Sequence, residues 1–337
     1  MIAESLADYL KDSNPQWEGL VVRGVEELTM GWETELYSFT VKHDVEGSVV
    51  REDWVVRLYP GKHATEKAAK EFKVMARLHK AGYPVPRVFH CETGSEALGK
   101  PFIIMELIKG RMLDDDLEEA PEGSSQPLGT FINLFAELHA LDVKQLFPRE
   151  AYPLDTKEYL KGFMASRRRV LEELGPRWLL PALKWLDERR EDVVVHGTSL
   201  LHRDFHPMNI ILREDGSPVV LDWGAASIGD FREDLAWTTL LAGTFRGPSL
   251  RELILESYEG ATGREVMGIE FFEVIATIRR IRDIYVSLTK GAKEMGMREG
   301  AEDQMRSVSD HVRGVYGVLV ERTGIMLPEF EELLRSL

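Results

Sequence analysis

The sequence predicts an α+β fold of two lobes, a small antiparallel sheet followed by a larger, mainly helical part. Three observations carry this. Between Gly24 and Leu107, short runs rich in β-branched and aromatic residues alternate with turn-like breaks. Beyond Leu113 the apolar residues recur at the spacing of amphipathic helices. The length of 337 residues exceeds that at which one core usually stops growing. The division is expected as 1–107 for the first lobe and 108–337 for the second.

In the first lobe the strand-like runs are "GVEELTM", "ELYSFTVKH", "DWVVRLYP" and "PFIIMELI". One helix interrupts them, "ATEKAAKEFKVMARLHKAG", with Phe72, Met75, Ala76 and Leu78 on its apolar side and Gly82 past its end. The segment Leu113 to Thr130 is acidic and rich in Pro, Gly and Ser, and reads as a surface loop or flap. Helical spacing then follows in "GTFINLFAELHAL", "TKEYLKGFMASRRRVLEELG", "RWLLPALKWLDERRE", "FFEVIATIRRIRDIYVSLTKGAKEM" and "EDQMRSVSDHVRGVYGVLVERTG".

Composition narrows the function classes. The net charge of -15 argues against a general affinity for nucleic acid, which rests on basic side chains meeting phosphates. It is compatible with a cationic small substrate, although much of the charge solvates the surface. No apolar run approaches the roughly 20 residues that span a bilayer, and no leader-like segment opens the chain, so a cytoplasmic protein without membrane partners is expected. Cys91 is the one cysteine, which excludes an intramolecular disulfide and a cysteine-rich zinc site. Asn occurs only at positions 14, 133 and 209, a scarcity typical of heat-adapted chains, and Asn209 is therefore conspicuous.

Asn209 lies in "LLHRDFHPMNIILREDGSPVVLDWG", where polar residues interrupt apolar runs. Asp215-Gly216 signals a two-residue hairpin turn, which would set Pro218 opposite Arg213 and Asn209 opposite Asp222. An amide oxygen and a carboxylate side by side suit a hard cation such as Mg²⁺. Asp204, at the mouth of the hairpin, is placed to orient or deprotonate a hydroxyl. Two other readings stand beside this one. His202, Asp204 and His206 would share a face of a strand and ligate a transition metal, or the polar residues would only satisfy loop backbone.

"HRDFHPMN" followed by "LDWG" resembles the catalytic loop and metal-binding motif of the protein-kinase-like superfamily. The His-Pro within the loop and the continuation "AASIGDFREDLAW" resemble its aminoglycoside phosphotransferase and choline kinase branch, which phosphorylates small molecules. The resemblance implies a two-lobed kinase-like fold, with a nucleotide-binding first lobe and a catalytic, substrate-binding second lobe. It implies that Asp204 is the catalytic aspartate, that Asn209 and Asp222 hold Mg²⁺ on the phosphates of ATP or GTP, and that His202 braces the loop. Asp234 would accept hydrogen bonds from the loop backbone. Arg57 in "DWVVRLYP" would take the place of the phosphate-binding cation, paired with Glu71. Backbone groups around Glu106, Leu107 and Ile108 would meet the base, and His139 would pack. The glycine loop is reduced to "TMGWETEL", leaving Gly31 with Glu33 and Glu35 nearby, and Arg203 and Met208 stand where the branch often has glycine.

The expected activity is thus Mg²⁺-dependent transfer of a γ-phosphate to the hydroxyl of a small molecule: an aminoglycoside, amino alcohol, hydroxyl-bearing amino acid or sugar. Asp283 and Glu273 are candidates to bind a substrate amine, while the arginines around them leave an anionic or polyol acceptor equally open. Two rivals are a protein kinase, against which the His-Pro loop and the absence of an Ala-Pro-Glu element count, and a nucleotide-binding pseudokinase acting through partners. The sequence leaves the oligomeric state open.

Overall fold

The computed structural model describes residues 2–28, 34–119, 126–148, 156–173, 175–194, 197–289 and 308–337. The chain divides into two compact units. The first comprises residues up to 112 together with 210–224, and the second comprises 113–209 and most of the chain from 225 onward.

The first unit opens with a helix, α1 (Ile2–Ser13), which lies ahead of Gly24, where the expected strand-like texture begins. Strands β1 (Glu18–Leu28), β2 (Glu35–Val45) and β3 (Ser48–Leu58) form a meander. Val45 faces Ser48 across Glu46 and Gly47, both at positive φ, which is the two-residue turn that matches strand twist. Helix α2 (Ala64–Lys80) follows, then β4 (Val88–Glu92) and β5 (Phe102–Glu106). The sheet order is β1-β2-β3-β5-β4, antiparallel throughout.

Alternation along β3 sends Trp54, Val56 and Leu58 into a core shared with Leu6 and Leu10 of α1, Phe39, Val41, Phe102 and Ile104. The same alternation turns Arg57 to the opposite face. There α2 presents Glu71 beside its own buried Ala68, Met75 and Leu78. Phe72 and Ala76, assigned to the apolar side of α2, are only half-buried.

The unit is completed by a short strand, β6 (Arg111–Met112), and the hairpin of Ile210–Leu212 with Pro218–Val220. The register differs by one from the expected one: Ile210 faces Val220 and Leu212 faces Pro218. The cause is the turn. Arg213 N–H donates to Ser217 O at 2.9 Å and Gly216 N–H to Arg213 O at 2.9 Å, with Gly216 at φ 81. Three residues rather than two therefore form the loop, and the left-handed glycine closes it as a bulge. Asn209 and Asp222 are not a facing pair of this ladder.

The second unit is helical. Leu113–Glu119 forms α3 where a loop was expected, with Leu113 fully buried and Asp114 paired to Arg246 at 2.6 Å; residues 120–125 lie outside the described residues. Then come α4 (Gln126–Ala140), α5 (Val143–Leu146), α6 (Thr156–Glu173) and α7 (Leu180–Arg189). A two-stranded ladder joins Ser199–Leu201 to Ser227–Gly229. Helices α8 (Phe231–Arg246), α9 (Pro248–Thr262) and α10 (Ile269–Thr289) lie beyond it, followed by Ser309–Thr323 and Pro328–Arg335. Asp230 caps α8 by accepting from Arg232 N–H at 3.0 Å. Residues Phe231 to Leu240 of that helix are all buried, polar ones included, so α8 is a central helix whose charges need partners. Among the described residues no helix is long and apolar enough to cross a membrane.

Candidate active site

In the first unit a charged chain runs from α2 through β3 to the end of the hairpin. Arg57 donates through Nη1 to Glu71 Oε1 at 2.8 Å, through Nη2 to Asp222 Oδ1 at 2.8 Å, and through Nε to Thr34 Oγ1 at 3.0 Å. The fork geometry of a guanidinium allows three acceptors at once, which a lysine in this place cannot fix so rigidly. Glu71 is 1% exposed and its other oxygen accepts from Tyr59 Oη at 2.7 Å, so the carboxylate is fully engaged. Gly224 permits this approach: a Cβ there would lie 3.2 Å from Glu71 Oε2. Asp222 is 45% exposed, sits at φ 62, and keeps Oδ2 without a partner among the described residues.

The segment after β5 has a different character. Glu106 N–H donates to Arg87 O at 2.8 Å and Leu107 N–H to Asp53 O at 3.1 Å. The N–H of Ile108 has no acceptor among the described residues. Its side chain joins Ile211 and Val219 in a small apolar cluster flanked by Met112 and Leu221. The Glu106 side chain is held by Arg213 at 2.6 Å. Gly31 and Glu33 lie outside the described residues, and Glu35 pairs with Lys100 at 2.5 Å.

In the second unit, Leu200 to Asn209 is built around two carboxylates. Asp234, fully buried on the first turns of α8, accepts from His202 N–H at 2.6 Å and Arg203 N–H at 2.7 Å, with His139 Nε2 3.4 Å away. Burial alone raises a carboxyl pKa, but here His139, Arg203 and His202 outweigh it and hold Asp234 below its usual range. Arg203 is at φ 74, so the strand ends at Leu201 and His202, Asp204 and His206 do not alternate along one face. His202 turns inward, fully buried, with Nδ1 accepting from Asp204 N–H at 3.3 Å. Among the described residues no group of three or more His, Cys, Asp or Glu is gathered as a metal cage.

Asp204 projects its carboxylate away from this support, about a third exposed. Oδ1 accepts from Trp237 Nε1 at 2.8 Å, and His206 Nε2 lies 3.5 Å from Oδ2. Burial pushes its carboxyl up, yet His206, Arg279 and the Trp237 bond together hold it well below the usual range, so Asp204 is ionised near neutrality. Asn209 donates through Nδ2 to Asp204 O at 2.9 Å. That bond fixes the amide's sense and leaves its oxygen without a partner among the described residues.

Two further predicted residues lie on α10. Glu273 is 2% exposed and both its oxygens are taken, one by Arg251 and the other by Arg322 Nε at 2.8 Å. It anchors helices to one another and has no oxygen left for a substrate amine, because burial without such partners would be prohibitive. Asp283 accepts from Arg282 Nε at 2.9 Å and lies 4.0 Å from Arg279. Sequence reasoning gave no role to Trp237 or Tyr59, and named Arg279 only among the arginines of its helix. Trp237 stands three residues after Asp234 on the same helical face, a spacing that was available to read.

Comparison with known proteins adds to this geometry. The family model described as "Phosphotransferase enzyme family" matches residues 25–269 of the 337. The chain is similar to the solved structure of a thermostable mutant of aminoglycoside phosphotransferase APH(4)-Ia, with 17% identity, a TM-score of 0.61, and coverage of 95% of this chain and 100% of that one. It is also similar to spectinomycin phosphotransferase APH(9)-Ia in complex with ADP and spectinomycin, at 11% identity and TM-score 0.57, covering 96% and 99%. At such identities the likeness establishes the fold, an α+β protein-kinase-like one. Among curated proteins, acyl-CoA dehydrogenase family member 11 of Pongo abelii is 28% identical over 247 residues, 68% of this chain and 29% of that protein. Family member 10 of Mus musculus is 28% identical over 196 residues, 54% of this chain and 17% of that protein. The chain thus spans less than a third of the length of these curated relatives.

Proposed function

Because the chain belongs to the phosphotransferase enzyme family, we propose that it transfers the γ-phosphate of ATP or GTP, with Mg²⁺, to a hydroxyl of a small molecule. Solved relatives by fold have been captured with AMP-PNP and hygromycin B or with ADP and spectinomycin, which supports a nucleotide and a small hydroxylated acceptor as the two substrates. The observation that carries the reading is Asp204, held ionised by Trp237 and His206 on a loop whose backbone is tied to buried Asp234.

The residues have divided roles in this reading. Asp204 orients the acceptor hydroxyl and takes its proton as the oxygen attacks. Arg57, positioned by Glu71, binds phosphate oxygens. The open N–H of Ile108, with the Ile108, Ile211 and Val219 cluster, receives the base; the neighbouring Glu106 and Leu107 serve through backbone already fixed in the sheet. Asn209 and Asp222 would hold Mg²⁺ in this reading, since each has an oxygen without a partner among the described residues and hard cations select oxygen donors. When bound, Mg²⁺ neutralises phosphate charge and helps to align the transferred group. His202 and Asp234 are structural supports of the loop, and the 1–107 and 108–337 division gives the nucleotide and acceptor lobes of the proposal. No covalent intermediate is required, since positioning and charge stabilisation supply most of the rate.

Asp204→Asn tests the assignment. Loss of a general base costs typically 10²–10⁴-fold, so acceptor-dependent ADP release is expected to fall by about that factor while nucleotide affinity stays within about twofold. An Asp204→Asn protein as active as wild type would remove Asp204 from the chemistry.

A further inference from the structure

The second unit contains a group of cations that the reading above leaves unused. Arg203 of the loop, Arg167 of α6, and Arg279 and Arg282 of α10 lie close enough to oppose one another's charge, in a chain whose net charge is -15. Three of them have partners. Arg203 donates to Glu233, and Arg282 to Asp283. Arg279 donates through Nη1 to Arg203 O at 2.7 Å and lies 3.8 Å over the Trp237 ring.

Arg167 is different. Its guanidinium lies 4.8 Å from the Phe163 ring and has no hydrogen-bond acceptor among the described residues. It is half-buried, and burial together with Arg203, Arg279 and Arg282 outweighs the nearby Asp283 and lowers its pKa to about 9. Five N–H donors without an acceptor, beside three like charges and with Asp283 as the nearby counter-charge, are an unfavourable arrangement for folding alone. The arrangement suits a ligand that brings negative charge.

The cavity that would take that ligand adjoins the surroundings of Asp204. Arg167, Arg279 and Arg282 border one cavity whose exposed wall is mainly apolar, with Leu183, Ile275 and Ile278 among its lining residues. Its volume is about 20 Å³, so it admits a small polar head rather than a ring. Arg279 links this cavity to the chemistry, because the indole it stacks on is the one that donates to Asp204. A polycationic acceptor would meet repulsion here.

Resting on the phosphotransferase reading, we propose that the acceptor carries an oxyanion, a carboxylate or a phosphate, in addition to its hydroxyl, and that Arg167 binds it together with Arg279 and Arg282. Asp283 then sets the orientation of the Arg282 and Arg279 guanidinium groups rather than binding an amine.

The test is thermal stability and calorimetric binding of the full chain at constant ionic strength with inorganic phosphate, glycerate, glycerol and serinol. Phosphate or glycerate, or both, is expected to bind and stabilise the protein, whereas glycerol and serinol are not; which of the two anions binds tighter identifies the head group. Arg167→Gln is expected to weaken anion binding at least about tenfold, about 1.4 kcal/mol, with Arg167→Lys recovering part of it. Without anion, Arg167→Gln should melt no lower than wild type, since it relieves repulsion. Arg57→Gln should leave the glycerate response intact, and a phosphate response that survives in Arg57→Gln but not in Arg167→Gln belongs to this site rather than to the phosphate-binding arginine. No anion response in folded wild type, a response equal in Arg167→Gln, or one lost only in Arg57→Gln would overturn the proposal. Stabilisation by Mg²⁺-nucleotide, measured on the same samples, reports on the kinase reading by itself.

Discussion

Arg203 and Asp222 both adopt positive φ, and with Glu46 they are the three non-glycine residues among those described that do so. A left-handed backbone costs an L-residue roughly 1–2 kcal/mol, and it persists where the surroundings over-determine it. For Arg203 the surroundings are Asp234 on its N–H and Glu233 on its side chain. Position 203, where the resembling branch often has glycine, thus retains the conformation that glycine takes freely. Asp234→Ala removes the acceptor of two backbone donors and is expected to lower stability by about 3 kcal/mol, read as a shift of the urea midpoint. An unchanged midpoint would mean that the loop holds its shape without Asp234.

His311 supplies a pH dependence at the same scale. It is 2% exposed, stacks on Phe245, accepts from Arg280 Nε at 2.9 Å, and has Thr244 Oγ1 2.8 Å from Nδ1. Thr244 gives its own proton to Leu240 O, so Nδ1 carries the imidazole hydrogen and Nε2 has no place for a second. Burial first, and Arg280 next, lower its pKa to about 3. The unfolded chain therefore takes up this proton near pH 6.5 and the folded chain does not. Stability contributed by neutral His311 is complete above about pH 6.5 and declines by up to about 1.4 kcal/mol per unit as pH falls toward 3. His311→Gln should flatten the melting temperature between pH 7 and 5; an identical slope in the variant would exclude His311 as its source.

Among elements, the hairpin after Asn209 shows where local geometry defeats sequence pattern. Asp-Gly was visible as a turn, but whether two or three residues form the loop depends on Ser217 accepting from Arg213, which the turn residues do not encode. Gly110 shows a constraint of the opposite kind, legible only in three dimensions. A Cβ there would lie 2.0 Å from Leu212 O, because β6 is laid directly on the hairpin strand. Gly110→Ala is expected to cost about 3 kcal/mol, at the upper end for overpacking, while Gly129→Ala, with open space around it, should be near neutral. Similar midpoints for the two variants would show that β6 does not pack this way.

The strands β2, β3 and β5, helix α2 and the long helices were legible because their apolar periods are regular. Helix α1 was missed although Leu6 and Leu10 stand at helical spacing, because elements were assigned only from Gly24 onward, and α3 because three successive aspartates disguise a helix whose buried anchor is Leu113. The Arg57 and Glu71 contact was implied by the resemblance to the kinase-like branch, not by any pattern of the residues themselves. Trp237 and Arg167 were not implied at all, since an aromatic or a cation on a helix acquires meaning only from what the fold brings against it.

For the whole molecule, the family match over residues 25–269 covers parts of both compact units. The net charge of -15 makes the concentration of arginine around Arg167 a local exception rather than a general property of the surface. The most direct measurement is thermal stability with and without Mg²⁺-ATP and Mg²⁺-GTP, for wild type and Asp222→Ala. A ligand that binds only the folded state adds about 2.7 kcal/mol at a hundredfold excess over Kd. A rise with at least one nucleotide that requires Mg²⁺ and disappears in Asp222→Ala is the predicted result. A folded wild-type protein that melts at the same temperature with and without both nucleotides would contradict it.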